Sequence, residues 1–270
     1  MTETISSAAN PLVKRIRLLA DRRQRRREGA FVVEGIQPVW RAVEAGWEIE
    51  ALLVTAELLA ESGPAAEMVA GQESNGVRVA RLTGELFARL SDRDGPSGLA
   101  AIVRVRQAGL PDLAVRPGSV FAALHQTGNP GNLGTIIRTV DAVGGAGVIL
   151  IGDTADPFAP AAVKASMGSL FAVGVAHVPE AGQFFDWASA TTVQVVATSG
   201  RASTDHWSAS YQPPLAVLLG SEGDGLPADL LARADLRVRI PMTGTAESLN
   251  LAVAAGVLLY ESRRHAVGGS

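Results

Sequence analysis

The chain has 270 residues, of which 47% are hydrophobic and 19% charged, with 29 glycines, no cysteine and a formal net charge of −3. Its length admits one large domain or two of ordinary size, and its apolar content is too high for disorder. The lack of cysteine excludes a disulfide framework, thiolate metal sites and cysteine nucleophiles. No apolar run reaches membrane-spanning length and residues 1–10 are too polar for a signal peptide, so the expectation is a soluble cytoplasmic protein. The charge is uneven. Residues 1–27 hold eight cations (Lys14, Arg15, Arg17, Arg22, Arg23, Arg25, Arg26, Arg27) against Glu3 and Asp21, a local +6 that leaves −9 for the other 243 residues. A basic segment on an acidic protein suggests a localised polyanion contact, although a charge run alone is also what a solvated helical face looks like.

In chain order, Leu12, Ile16 and Leu19 at helical spacing predict a helix over residues 10–27. A strand at 31–34, a helix at 39–44, a strand at 51–55, a helix at 64–71, a strand at 77–82, a helix at 84–90 and a strand at 99–105 follow. This alternation gives a small α/β domain over residues 1–106. Residues 107–119, with Gly109, Pro111, Pro117 and Gly118 and no periodicity, read as a linker. The second domain, 120–270, alternates more clearly. Strands are expected at 120–124, 148–151, 172–177, 193–198, 215–219 and 236–240, and helices at 135–143, 161–169, 227–234 and 248–264. Near-continuous apolar strands between helices indicate a parallel sheet covered on both faces. The last helix carries Leu251, Ala254, Ala255, Leu258 and Leu259, an apolar surface broad enough for the core and a partner.

Three loops follow predicted strands, where open α/β sheets bind ligands. The first runs Gly128-Asn129-Pro130-Gly131-Asn132-Leu133-Gly134 into a helix bearing Arg138, whose guanidinium suits a phosphate or carboxylate. The second is Leu219-Gly220-Ser221-Glu222-Gly223-Asp224-Gly225. It is not a nucleophile elbow, because the residue two before Ser221 is Leu219 rather than glycine. The third is Ile240-Pro241-Met242-Thr243-Gly244-Thr245-Ala246-Glu247-Ser248-Leu249-Asn250, in which Ser248 and Asn250 alternatively serve as plain helix caps. No Gly-Lys-Ser/Thr phosphate loop occurs, and Gly145-Ala146-Gly147 precedes a strand instead of following one, so a dinucleotide fingerprint is absent.

Together and in this order, the three loops resemble the motifs of the SpoU (TrmH-like) family of RNA ribose methyltransferases in the SPOUT superfamily. Asn129 to Thr139 resembles the pattern N-P-x-N-x-G-x-x-x-R-T, Leu219 to Gly225 resembles L-G-x-E-x-x-G, and Ile240 to Asn250 resembles I-P-M-x-G-x-x-x-S-L-N. The likeness spans residues 120–264. Asn10-Pro11-Leu12-Val13-Lys14 and Phe31-Val32-Val33-Glu34-Gly35 resemble the small substrate-binding domain of a ribosomal-RNA branch. One departure stands out: many relatives read Leu-Asp-Gly-Val after the first strand, whereas this chain has Leu124-His125-Gln126-Thr127. His125 there is either a structural residue or an RNA contact.

The resemblance implies a C-terminal parallel-sheet domain with a deep trefoil knot beside a small N-terminal α/β RNA-binding domain. It implies a homodimer paired across the knot, S-adenosylmethionine as cofactor and no metal. The reaction implied is 2′-O-methylation of a ribose, in large-subunit ribosomal RNA for maturation or antibiotic resistance; a transfer-RNA enzyme or a non-catalytic RNA-binding protein of the same fold are the alternatives. Carried over by position, Gly220, Ile240 and Leu249 hold the adenosine through main-chain groups. Thr198 and Met242 line the same pocket or are core packing. Arg138 is the principal catalytic residue, supported by Asn132, with Ser248 and Asn250 positioning substrate or cofactor and Glu222 bracing its loop. A guanidinium is not deprotonated in proteins, so the role read for Arg138 is fixing a phosphate beside the target ribose and stabilising developing charge. Lys14, Arg15, Arg22, Arg23, Arg25, Arg26 and Arg27 would neutralise RNA phosphates, and with few aromatics beside them shape dominates recognition.

Overall fold

The computed structural model describes residues 4–91, 95 and 97–268. Its backbone divides into two compact units, Met1–Arg106 with Phe158–Ala172, and Gln107–Pro157 with Val173–Ser270.

The first unit opens with α1 (Pro11–Leu18) and α2 (Arg22–Glu28), two helices where one was expected. The break has a local cause. The first helix ends at Leu18 with Leu19 as its cap, and Asp21, in extended conformation, starts the second, its carboxylate accepting the Gln24 N–H at 3.0 Å. Then come β1 (Ala30–Glu34), α3 (Ile36–Glu44), β2 (Ile49–Thr55), α4 (Ala56–Glu61), α5 (Gly63–Ser74), β3 (Arg78–Leu82), α6 (Gly84–Ala88) and β4 (Leu99–Arg104). The sheet order is β1-β4-β2-β3, with β4 antiparallel to both neighbours and β2 parallel to β3. Leu12, Val13, Ile16 and Leu19 pack with Leu53, Leu82 and Ile102 in one core.

A second cluster in this unit joins Phe31 and Trp47 to Phe158 and Phe171. The Phe31 and Phe158 rings are 4.8 Å apart, Trp47 meets Phe171 edge-on at 5.2 Å, and the Trp47 indole N–H donates to the Phe171 carbonyl at 3.3 Å. The helix expected at 161–169 is observed as Pro160–Ser166 (α8). Sequence position had assigned it to the second domain; its packing, including contact with β1, places it in the first unit.

The second unit contains β5 (Val120–His125), α7 (Pro130–Ala142), β6 (Gly147–Ile151), β7 (Val175–Val178), α9 (Ala181–Ala190), β8 (Gln194–Thr198), β9 (Thr204–Asp205), β10 (Leu215–Leu219), α10 (Ala228–Arg233), β11 (Leu236–Arg239) and α11 (Leu251–Gly268). Its seven strands lie in the order β7-β6-β5-β10-β8-β11-β9, every pairing parallel, as the apolar runs predicted. Phe121, Ala123, Ile149, Ala197, Ala216 and Leu218 form the core of one face with Phe184 and Leu230. On the other, α11 runs beside α7 and contacts β5 and β10. The stretch expected to be a linker is packed: Leu110 and Leu113 are buried in this core, and Ala108 bridges to Ala176. Helix α9 was not foreseen. Among the described residues no helix is long and apolar enough to cross a membrane.

Candidate functional site

Four neighbouring strands, β5, β10, β8 and β11, end on the same edge of the parallel sheet, and from three of those ends the motif loops emerge. The register sets Val238 of β11 beside Thr198 of β8, and Leu218 of β10 beside Ala197 and Ala123. Thr198, Gly220 and Ile240 therefore close three adjacent strands, while the first motif loop leaves β5 next door. Parallel strands put all these ends together, which is why such sheets bind ligands here.

Side chains then tie the loops to one another. Asn129 caps α7, its Oδ1 accepting the N–H groups of Gly131 at 2.8 Å and Asn132 at 3.1 Å. The Asn132 side-chain amide donates to Glu222 Oε1 at 3.1 Å, and the Gly128 N–H donates to Glu222 Oε2 at 3.4 Å. Asn250 donates from Nδ2 to Asn132 Oδ1 at 3.1 Å while its own Oδ1 accepts the Ala252 N–H at 2.9 Å. Capping and bridging are thus two jobs of one residue. The chain Asn250–Asn132–Glu222 links all three motifs, and it fixes the Asn132 amide from both ends. Partial burial pushes the Glu222 carboxyl upward, but hydrogen bonds from Asn132 and from the backbone of Glu222, Gly128 and Asn129 outweigh it, and the group titrates below the usual carboxylate range.

Gly220 sits where nothing larger fits. A Cβ there would lie 2.1 Å from the carbonyl carbon of Gly225 and 2.4 Å from the Leu226 nitrogen, so the loop closes onto its own first residue. Ser221 and Gly225 exchange backbone hydrogen bonds at 3.3 and 3.2 Å to seal it. The third loop is the opposite case: residues 241–249 form no helix or strand and make no backbone hydrogen bond among the described residues. A loop of this kind suits a ligand gripped through main-chain groups, the role that the resemblance implies for Gly220, Ile240 and Leu249 toward adenosine. Thr198 and Met242 are half-buried at the same edge, and Leu249 is exposed.

Arg138 projects from α7 into solvent and has no partner among the described residues, while Ser248 is exposed on the third loop. Neither joins the hydrogen-bonded chain. An open concavity lined by Phe185, Gln194, Arg233 and Asp235 lies at the opposite end of β8 and contains none of the motif residues. His125 faces inward, 8% exposed, with burial lowering its pKa against the pull of Asp229. That burial removes it as a direct RNA contact.

The basic segment is less uniform than its sequence. Arg25 is buried, and its guanidinium donates to the carbonyls of Leu19 at 3.0 Å and Ala20 at 2.7 Å, closing the turn between α1 and α2. The expectation that Arg25 neutralises an RNA phosphate is corrected accordingly: its donors are spent on the fold. Arg15 is held between Glu28 and Glu50 at 2.7 Å each, contacts that raise its pKa despite partial desolvation. Lys14, Arg23, Arg26 and Arg27 are exposed, Arg22 is half-buried, and Arg17, left out of the expected set, is exposed with them.

Comparison with known proteins agrees with this geometry. Residues 119–260 match the model of the SpoU rRNA methylase family, and residues 10–101 that of the MRM3-like substrate-binding domain. A 23S rRNA (uridine(2479)-2′-O)-methyltransferase of Streptomyces viridochromogenes is 33% identical across 93% of this chain and 88% of its own length. A 23S rRNA (guanosine(2553)-2′-O)-methyltransferase of Bacillus subtilis is 29% identical across 96% and 98%. An AdoMet-bound rRNA methyltransferase from Sinorhizobium meliloti superposes with a TM-score of 0.89 at 38% identity, covering 98% of each chain. With three motif loops gathered at one sheet edge and a family model matching more than half of its length, this chain belongs to the SpoU rRNA methylase family.

Proposed function

We propose that this protein methylates a ribose 2′-hydroxyl in ribosomal RNA, using S-adenosylmethionine. The observation that carries the reading is the Asn250–Asn132–Glu222 chain, which binds the three motif loops into one site at the ends of β5, β10 and β11. The relatives named for the same reaction, aligned over nearly their full lengths, support it. The cofactor supplies an electrophilic methyl group on a sulfonium. The protein's part is to hold the alcohol in line with it and ease the loss of its proton, since a neutral hydroxyl is a weak nucleophile. Arg138, exposed and without a partner among the described residues, offers its guanidinium fork to a phosphate beside the target ribose. Asn132, immobilised by Glu222 and Asn250, presents a fixed edge to the ribose, and Ser248 stands on the loop that faces it.

The same reading includes RNA capture by Lys14, Arg17, Arg23, Arg26 and Arg27, and a homodimer. Along α11 and the residue before its cap, Leu249, Val253 and Tyr260 form an exposed apolar stripe, 37 to 59% accessible, which supports pairing with a second copy. It also includes the trefoil knot, supported by the return of the chain to insert β11 between the earlier strands β8 and β9.

The test is methyl transfer from labelled S-adenosylmethionine to purified ribosomal RNA and, separately, to bulk transfer RNA. Label in ribosomal RNA within an alkali-resistant dinucleotide is the expected result. Label confined to transfer RNA, or none in naked RNA or ribosomal particles, would overturn it.

A further inference from the structure

We infer that Gln126 is a base-reading residue: its carboxamide, turned outward at the rim of the site, contacts the base of the nucleotide whose ribose is methylated. The inference deepens the methyltransferase reading and rests on it.

Alternation at the end of β5 sends His125 and Thr127 inward and leaves Gln126 exposed between them. The Gln126 N–H completes the ladder, donating to the Ile151 carbonyl at 3.0 Å. Its φ is +51°, in the left-handed region that costs a residue with a Cβ and costs glycine nothing. The related pattern Leu-Asp-Gly-Val has glycine at this position. The neighbouring strand clears space for the side chain: Gly152, just after β6, has φ +76°, and a Cβ on it would stand 3.3 Å from Gln126 Cγ. Gly152 is held in turn, its N–H donating to the Val178 carbonyl at 2.9 Å and its own carbonyl 2.8 Å from His177 Nε2. Yet the Gln126 carboxamide makes no hydrogen bond among the described residues. A strained backbone, a cleared seat and an unspent polar head point to a ligand contact.

The ligand follows from chemistry and direction. Gln126 lies two residues before Gly128, which donates to Glu222 of the central chain. It leans toward β6, away from the β10–β8–β11 ends assigned to the cofactor. A neutral carboxamide, with one acceptor oxygen and two donor hydrogens, suits the edge of a base better than a phosphate. The relatives named above act on uridine in one case and guanosine in the other, so base choice varies around a shared centre.

The methylated position is first mapped in the wild-type reaction. Transcripts of that region carrying each of the four bases there are then assayed with wild type, Gln126→Gly and Gln126→Glu. Wild type is expected to prefer one base by about 5- to 150-fold in kcat/KM. Gln126→Gly, with the backbone strain relieved, should melt no lower and bind S-adenosylmethionine equally well. Its base preference should fall toward unity, chiefly through KM. Gln126→Glu, which keeps the shape and loses the donors, should lose or redirect the preference. A wild type without base preference, or a preference that survives in Gln126→Gly, overturns this inference alone; a wild type that methylates no RNA overturns it together with the methyltransferase reading.

Discussion

Replacing Gly220 by alanine tests whether the second motif loop must close on itself. The added methyl would sit 2.1 Å from the Gly225 carbonyl carbon and 2.2 Å from its oxygen, both backbone atoms that no rotamer change can move aside. Reaching an ordinary 3.4 Å contact requires a shift of about 1.3 Å in the Gly225–Leu226 backbone. That breaks the Ser221–Gly225 pair, whose two bonds at 3.3 and 3.2 Å are already long. Overpacking against backbone belongs at the upper end of the usual 1–3 kcal/mol. Two lost neutral hydrogen bonds add about 0.5–1.5 kcal/mol each. The sum, about 4–6 kcal/mol, corresponds to a fall in Tm of roughly 8–24 °C for a protein of this size. Because the loop carries Glu222, methyl transfer should also fall at least about tenfold, the range in which misplacing a positioning group is felt. Thermal unfolding with and without S-adenosylmethionine, alongside a methyl-transfer assay, gives the readout. Gly223→Ala is the control: a Cβ there meets nothing within 4 Å, and the change should stay within about 0.5 kcal/mol. A Gly220→Ala protein that melts within about 2 °C of wild type would refute the reasoning.

Asn132→Ala should cut methyl transfer by at least about a hundredfold while leaving cofactor affinity within a few-fold in calorimetric titration, since it removes the middle of the Asn250–Asn132–Glu222 chain. Glu222 titrates below its ordinary 4.5 in the folded protein, so its ionised form stabilises the fold above that pH, and this contribution is lost as the pH falls from 4.5 through the lowered value. Glu222→Gln should therefore flatten the acid limb of a Tm–pH curve; an unchanged limb would contradict the assignment. Arg25→Ala should destabilise by about 2–3 kcal/mol in denaturant unfolding, because two carbonyls lose a buried charged donor. Arg26→Ala, at an exposed position, should leave stability alone and lower the salt slope of RNA binding by about one. Val253→Glu with Tyr260→Glu should convert a dimer to a monomer in light scattering, with no loss of Tm attributable to the monomer core.

The second unit was legible because its strands are uninterrupted apolar runs: Val120–His125 and Leu215–Leu219 have no other reading once helices flank them. The motif loops were legible from their spacing, and so was their convergence, which parallel strands enforce. What escaped has physical reasons. Helix α9, Gly-Gln-Phe-Phe-Asp-Trp within it, is built from residues of modest helix propensity, and its signal was Gln183 reaching back to the Glu180 N–H. The break between α1 and α2 was written in Asp21 and Gln24, a start signal masked by the cations around it. The fate of Arg25 was not legible at all. Nothing local separates it from Arg23 or Arg26, and the difference is made by where the turn at Leu19–Ala20 buries its carbonyls. The hydrogen bonds that join Asn132 to Glu222, as donor, and to Asn250, as acceptor, are likewise tertiary facts, spanning 90 and 118 residues of sequence.

The excursion Phe158–Ala172 has a genetic consequence. The covalent chain passes between the two units at residues 106–107, 157–158 and 172–173, so neither is a cassette that one crossover can move. Deleting residues 1–106 would strip Phe31 and Trp47 from Phe158 and Phe171 and leave those rings bare on the surviving unit. A lineage exchanging its substrate-binding module would have to exchange this aromatic graft as well, or co-evolve a new partner for it. Truncating this chain to its second unit therefore calls for shortening or repolarising that excursion as well as removing residues 1–106.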